Sequence, residues 1–262
     1  MKKSKIKLGD SKINCQGVKM TITKWYDHNH LVVTFEDGCE REIFSAENDR
    51  WKLGNIRSYN HPTVYKVGYL GGNYYNNSKD RYVYRAWNHM LERCYTKKYH
   101  QLFPTYIGCE VCEEWHSFQN FAKWYYDNLW LPLNDSKLDK DILFKHNKLY
   151  SPQTCVLVDN RINCLFTKNN KDRGCLPIGV TEDCRSHTIR AYLYNENGNR
   201  TTKYVNPSTN DRDLDILIAF NWYKENKEEY IQKIADEYAT KYPNFPQKLY
   251  DAMYTYQVEI TD

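Results

Sequence analysis

Leu138-Asp139-Lys140-Asp141-Ile142, then Tyr150-Ser151-Pro152-Gln153-Thr154-Cys155-Val156-Leu157-Val158, then Asn160-Arg161-Ile162-Asn163 is the stretch whose reading decides the fold. It reads as a short strand with carboxylates, a turn, a second apolar strand and a helix that carries Asn163. Such a unit can hold one divalent cation, Mg²⁺ or Mn²⁺, between Asp139 and Asn163 and beside a phosphodiester. There the cation polarises the scissile phosphate and stabilises the leaving oxygen while a nearby base activates water. Asp141 is the alternative ligand, because an extended strand puts residues 139 and 141 on one face.

The segment 138–166 resembles the HNH, or ββα-metal, endonucleases, in particular the phage-type branch with a pattern of the kind (I/L)-D-(R/K)-x-D … Y-S-P-x-N-C … N. The resemblance implies a metal-dependent endonuclease acting on double-stranded DNA and similar to homing enzymes. Thr154 stands where that pattern has Asn, and the His usual in the first strand as general base is absent. Rare-cutting HNH enzymes that the segment resembles carry a Tyr at the Y-S-P position, so Tyr150 takes the base role, with His146 in the intervening loop second. Lys140 or Arg161 is expected to steady the phosphate.

The 262 residues allow two or three modest domains around buried cores, and the net charge of +4 does not suit a polycation that coats nucleic acid indiscriminately. The aromatic load stands out, with 24 Tyr and 7 Trp beside 37 Lys and Arg. Together these supply phosphate donors and stacking faces, although most of the Trp rings belong in the core. No apolar run is long enough for a membrane span, and no apolar signal core follows the basic start Met1-Lys2-Lys3-Ser4-Lys5. Nine Cys without a signal peptide point to reduced thiols in the cytoplasm, that of a host cell if the chain is phage-encoded. Cys109-Glu110-Val111-Cys112 is the lone C-x-x-C pair, with Cys155 and Cys164 as distant complements, and a structural Zn²⁺ is not expected.

Residues 1–67 read as a small β domain. Met20-Thr21-Ile22-Thr23, Leu31-Val32-Val33-Thr34-Phe35 and Arg41-Glu42-Ile43-Phe44 are strand-like, and Glu36-Asp37-Gly38 marks a hairpin. Gly17-Val18-Lys19-Met20 with Val33-Thr34-Phe35-Glu36-Asp37-Gly38 is similar to the opening of phage proteins that carry HNH segments. Gly68-Tyr69-Leu70-Gly71-Gly72 reads as a flexible connection and a boundary. Helical spacing follows at Tyr84, Trp87, Met90, Leu91, Cys94 and Tyr95, and again at Val111, Trp115, Phe118, Ala122 and Tyr125. Trp87-x-x-Met90-Leu91-x-Arg93-Cys94-Tyr95 and the Trp115, Phe118, Phe121, Trp124 spacing extend the phage HNH resemblance to residues 84–166. His89, His100 and His116 on these helices are further candidates to reach the metal.

A polar linker at Lys168–Gly174 precedes Leu176-Pro177-Ile178-Gly179-Val180. Thr188-Ile189-Arg190-Ala191-Tyr192-Leu193 alternates as a strand, 195–199 turns, Lys203-Tyr204-Val205 returns, and 211–240 is helical. This order resembles the ethylene-response-factor-like module fused to many HNH nucleases, whose three-stranded sheet enters the major groove. Arg185, Arg190, Tyr192, Arg200 and Lys203 are its expected DNA contacts.

The expectation is thus an α+β chain: a small N-terminal β domain (1–67), a helical segment with a ββα-metal nuclease core (68–170), and a C-terminal three-stranded sheet with a long helix (171–262). Two alternatives stand beside the nuclease: an HNH scaffold that binds DNA without cutting it, and a Tyr/Trp-rich inhibitory factor that grips a protein partner.

Overall fold

Strands β1 (Ser11–Ile13), β2 (Lys19–Asp27), β3 (His30–Phe35) and β4 (Glu40–Phe44) form an antiparallel sheet in the order of the chain. The expected hairpin is there: Gly38 has a φ of 82° and Asp37 Oδ1 accepts the Cys39 N–H at 3.0 Å. Period-two alternation sends Met20, Ile22, Leu31, Val33 and Ile43 to one core with Ile56 and Trp51 of α1 (Asn48–Leu53). Buried Asn14 ties the β1–β2 turn to the following chain, accepting from Gln16 and Val18 N–H and donating to the Ile56 carbonyl at 3.0 Å. This is a computed structural model, and it describes residues 6–27, 29–44, 48–167, 175–183, 185–194, 198–205 and 211–262.

The glycines at 68–72 are not a flexible joint. A Cβ on Gly68 would lie 2.4 Å from Leu91 Cδ1 and 2.8 Å from the Trp87 ring, and one on Gly71 would lie 2.3 Å from Ser117 Oγ. The segment passes close against α2 (Arg81–Tyr95) and bridges Tyr69 to Ser117, so glycine serves close approach rather than freedom. The second expected helix is shorter than its apolar spacing suggests. Val111 instead belongs to β5 (Glu110–Val111), paired in parallel with β7 (Leu149–Tyr150), and a tight turn at Glu113–His116 leads into α4 (Phe118–Asp127). Tertiary pairing has overridden the local period there. Between them lies α3 (Lys97–Leu102), and Trp87 Nε1 donates to the Trp115 carbonyl at 2.8 Å.

The chain groups into two units, residues 1–129 with 147–154 and residues 130–146 with 155–262. This differs from three consecutive segments. The β5–β7 pairing draws 147–154 into the first unit, whereas β6 (Lys137–Asp139), β8 (Val156–Val158) and α5 (Asn160–Leu165) belong with the C-terminal elements. The expected linker at 168–174 and residues 195–197 of the expected turn lie outside the described residues.

In the second unit β9 (Val180–Glu182), β10 (Ile189–Tyr194) and β11 (Arg200–Tyr204) make the expected three-stranded antiparallel sheet, with β10 central. The long helix α6 (Arg212–Lys241) follows, capped by Asp211, whose Oδ1 accepts from Asp213 and Leu214 N–H. Ala219, Phe220 and Tyr223 of α6 pack with Val180, Ile189 and Ala191 of the sheet. Further along, Ile231, Ile234, Ala235 and Tyr238 pack with Val156, Val158 and Ile162 of the β6–β8–α5 unit and with Leu249 and Met253 of α7 (Gln247–Tyr254).

Gly179 is the tightest point of that packing, with a φ of +77° and a Cβ that would fall 2.1 Å from the Tyr223 ring. Gly179→Ala should therefore cost about 2 kcal/mol or more in urea denaturation of the full chain, from backbone strain and overpacking together. A loss below about 0.5 kcal/mol would show that the Tyr223 ring is not seated on this backbone.

Candidate functional site

β6 and β8 pair antiparallel, with Asp139 opposite Val156, and α5 follows directly and lies against β6. Asp159 caps α5 through Oδ1, which accepts the Ile162 N–H at 2.8 Å, while its Oδ2 accepts the Tyr238 hydroxyl. One carboxylate thereby starts α5 and fastens it to α6. Trp130 Nε1 donates to the Leu157 carbonyl at 2.8 Å and holds β8 from the other end.

Asp139 sits where β6 ends. Its Oδ1 accepts the N–H groups of Asp141 and Ile142, each at 2.8 Å, and these turn the chain out of the strand. Residues 139 and 141 consequently do not share a strand face as expected, because the side chain of 139 terminates the strand. Asp141 points to solvent, and both its oxygens accept from Lys140 Nζ, at 2.6 and 2.8 Å. Lys140 is itself buried, so the two charges answer each other. Neither Asp141 as a free ligand nor Lys140 as a free phosphate donor fits that arrangement.

Among the described residues, Asp139 Oδ2 and the Asn163 side-chain amide have no hydrogen-bond partner in the protein. Burial pushes the Asp139 carboxyl above its ordinary pKa, outweighing the two N–H donors that favour its charge. A partly enclosed carboxylate oxygen and an amide oxygen are hard donors that suit Mg²⁺ or Mn²⁺, which also keep several waters.

The expected bases are placed differently. Tyr150 is 2 % exposed in the first unit, where its hydroxyl is hydrogen-bonded to Arg93. Burial raises its pKa strongly, although Arg93 opposes the shift, so it stays a neutral phenol. A buried neutral phenol is a poor proton acceptor. Thr154, where the pattern has Asn, closes the Ser-Pro turn by donating to the Leu149 carbonyl at 2.6 Å. His100 and His116 lie with their Nε2 atoms at 2.9 and 3.1 Å from the Arg93 and Val111 carbonyls, and with His89 they belong to the first unit.

His146 is exposed, with a φ of 59°. Its ring lies near Glu259 and Asp262 of the C-terminal segment, with ligand atoms all within 4.8 Å of one another. Lys145 Nζ already binds Glu259 Oε1 at 3.0 Å and Asp262 Oδ2 at 3.2 Å, so that acidic pair is matched by an ammonium.

Arg161 forms a bidentate pair with Glu237 at 2.6 and 2.9 Å, and its guanidinium lies 5.6 Å from the Tyr238 ring centre. In the sheet, register separates the expected contacts. Tyr192 opposes Thr202 and Arg190 opposes Tyr204, so Arg190, Tyr192, Tyr194, Arg200 and Tyr204 share the outward face. Arg200 lies over the Tyr192 ring at 5.5 Å. Lys203 opposes Ala191 and is on the other face. Arg190 donates to Thr181 Oγ1 at 3.3 Å and pairs with Asp183 at 3.7 Å. Arg185 is exposed in the β9–β10 turn, built on Asp183 Oδ1.

No protein-family model, curated protein or solved structure matches the chain. Among the described residues no helix is long and apolar enough to cross a membrane. The eight described cysteines are free, and burial raises the Cys112 thiol pKa.

Sequence reasoning missed Lys227. The acidic run Lys227-Glu228-Glu229 draws no attention to it, yet it lies four residues after Tyr223 and four before Ile231, both buried on α6. A lysine in the buried stripe was the available signal.

Asp139 both shapes the turn and carries an unfavourable charge. An acid whose folded pKa is raised costs nothing below its unfolded value and its full cost above the folded value. Without divalent ions at neutral pH, Asp139→Asn should therefore be at least as stable as the parent chain. Asp139→Ala, which loses the acceptor of both turn hydrogen bonds, should be less stable by about 1–3 kcal/mol. Thermal melts of both variants, repeated towards acid pH where the Asn advantage should vanish, check this.

Proposed function

We propose that this chain is a divalent-cation-dependent endonuclease of the HNH, ββα-metal type that acts on double-stranded DNA. The observation that carries the reading is the β6–β8–α5 unit, with Asp139 at the end of its first strand and Asn163 on its helix, both with oxygen donors left unpaired among the described residues. A bound Mg²⁺ or Mn²⁺ would supply Lewis-acid stabilisation of the scissile phosphate and leaving oxygen. Asp139 would hold the ion with the oxygen not used by the turn, and Asn163 would orient it from the helix. His146, exposed on the loop after β6, is the candidate proton acceptor left in this unit; Tyr150, a neutral phenol on Arg93, is not given that task. The outward face of β9–β11, with Arg190, Arg200 and Tyr192, would hold the duplex.

The buried Tyr150 and the absence of a first-strand His favour a second reading, a DNA-binding protein that keeps the scaffold without cutting. Supercoiled plasmid separates the two. The nuclease reading expects nicking or linearisation with Mg²⁺ or Mn²⁺, none with excess chelator, and a loss of roughly 10²-fold or more in Asp139→Asn and Asn163→Ala. Undiminished cutting in chelator, or in both variants, would overturn it.

The sheet register makes a separate claim. Arg190→Ala should weaken duplex binding by about 1 kcal/mol or more, with a shallower salt dependence, whereas Lys203→Ala should leave both within error. Equal losses in fluorescence anisotropy would mean that the outward face is not the DNA face.

A further inference from the structure

The second unit contains a groove of about 730 Å³ lined by α5, the start of β9, the end of β10 and the middle of α6. Its size falls within the ~300–1,000 Å³ range of ligand clefts. Arg161 and Lys227 are its cations, and Tyr192, Tyr194, Tyr223 and Tyr230 its rings. No carboxylate lines it among the described residues. In a chain with 33 Asp and Glu, a wall of hydroxyls, rings and cations without one acid selects for an anion.

Lys227 is the decisive residue. Three other cations of the unit are matched: Lys224 pairs with Glu228 at 2.6 Å, Arg161 with Glu237 at 2.6 Å and Arg212 with Glu182 at 2.6 Å. Lys227 has no ion pair or hydrogen bond among the described residues. Burial alone pushes its pKa down to about 8, so it remains mostly charged at neutral pH while its ammonium lacks a counter-charge. An unmatched, largely enclosed ammonium destabilises a fold unless something outside the chain completes it.

We propose that this groove is a phosphate-binding site with Lys227 as its cation, and that its ligand is the sugar-phosphate backbone of a nucleic-acid strand. The inference rests on the nuclease reading for the identity of the strand, and on the groove for the phosphate. Lys227 meets the phosphate, Tyr192 and Tyr194 offer ring faces beside it, and Thr181 offers a hydroxyl. Asn160 and Arg161 of its wall belong to the helix that bears Asn163, although Asn163 itself does not line it, and Tyr192 belongs to the outward face of the sheet.

The test uses the full chain and Lys227→Met, which keeps the stem and removes the charge, with Lys227→Arg as the charge-retaining control. Anisotropy with a labelled duplex at several salt concentrations should show a 5- to 10-fold weaker Kd for the Met variant, with a salt slope lower by about one, and near-parental binding for the Arg variant. Inorganic pyrophosphate should raise the melting temperature of the parent but not of Lys227→Met. The Met variant alone should melt at or above the parent temperature, which separates a lost ligand from a damaged fold. Parental DNA affinity and salt slope in a folded Lys227→Met protein would overturn the proposal. Pyrophosphate stabilisation that depends on Lys227, with DNA binding unchanged, would assign the groove to a free phosphorylated ligand and overturn its nucleic-acid assignment. A parent chain that binds no DNA would sink the nuclease reading by itself, and equal pyrophosphate effects on both proteins would then overturn the groove as well.

Discussion

α6 must bury two different surfaces along one axis of thirty residues, about 45 Å in length. Its first half presents Ala219, Phe220 and Tyr223 to the three-stranded sheet, and its second half presents Ile231, Ile234, Ala235 and Tyr238 to the β6–β8–α5 unit and α7. At about 100° per residue the two buried stripes are offset by roughly 60°. Leu214, Leu217 and Ile218 are exposed on the first half, so the helix is only weakly amphipathic over its full length. The offset gives Lys227 its place, since the change of stripe falls between Tyr223 and Ile231, where neither packing partner fills the space completely and a groove is left.

Charge in this unit is arranged mostly to be silent. Lys140 with Asp141, Arg161 with Glu237 and Lys145 with Glu259 and Asp262 neutralise one another at hydrogen-bond distance. Their consequence is subtractive: they remove cations and carboxylates from the set able to meet a ligand. Among the described residues one oxygen of Asp139, the side-chain amide of Asn163 and the ammonium of Lys227 are not consumed in this way. Two are hard oxygen donors and one is an unmatched cation.

Much of the architecture is legible in the residues. Alternation at Leu31–Phe35 and Ile189–Leu193, the Asp37-Gly38 turn and the apolar spacing at Trp87, Met90, Leu91 and Cys94 each lead to the element observed. Local rules suffice there because period and turn chemistry act within a few residues. They fail where a distant partner intervenes. Val111 has the right spacing for the helix of Trp115 and Phe118 but pairs with Tyr150 in a parallel ladder instead. The glycines at 68–72 have the composition of a joint, yet Trp87, Leu91 and Ser117 demand their missing side chains.

The candidate site divides along the same line. Sequence by itself determined which residue types are present to do chemistry: a carboxylate before a turn, an Asn on the helix after the second strand, basic and aromatic residues alternating in a later sheet. Which of these remain available was decided by tertiary structure alone. Asp139 and Asp141 are two residues apart and chemically alike, but a turn consumes one oxygen of the first and Lys140 covers the second. Arg190 and Lys203 look equivalent until the register puts them on opposite faces. Tyr150 sits in a suggestive motif and is closed in a core beside Arg93, whereas Lys227 sits in an unremarked charged run and opens into a groove. The physical reason is that availability is a property of what surrounds a group: burial, partner and facing direction are set by residues far away in the chain, and no local pattern encodes them.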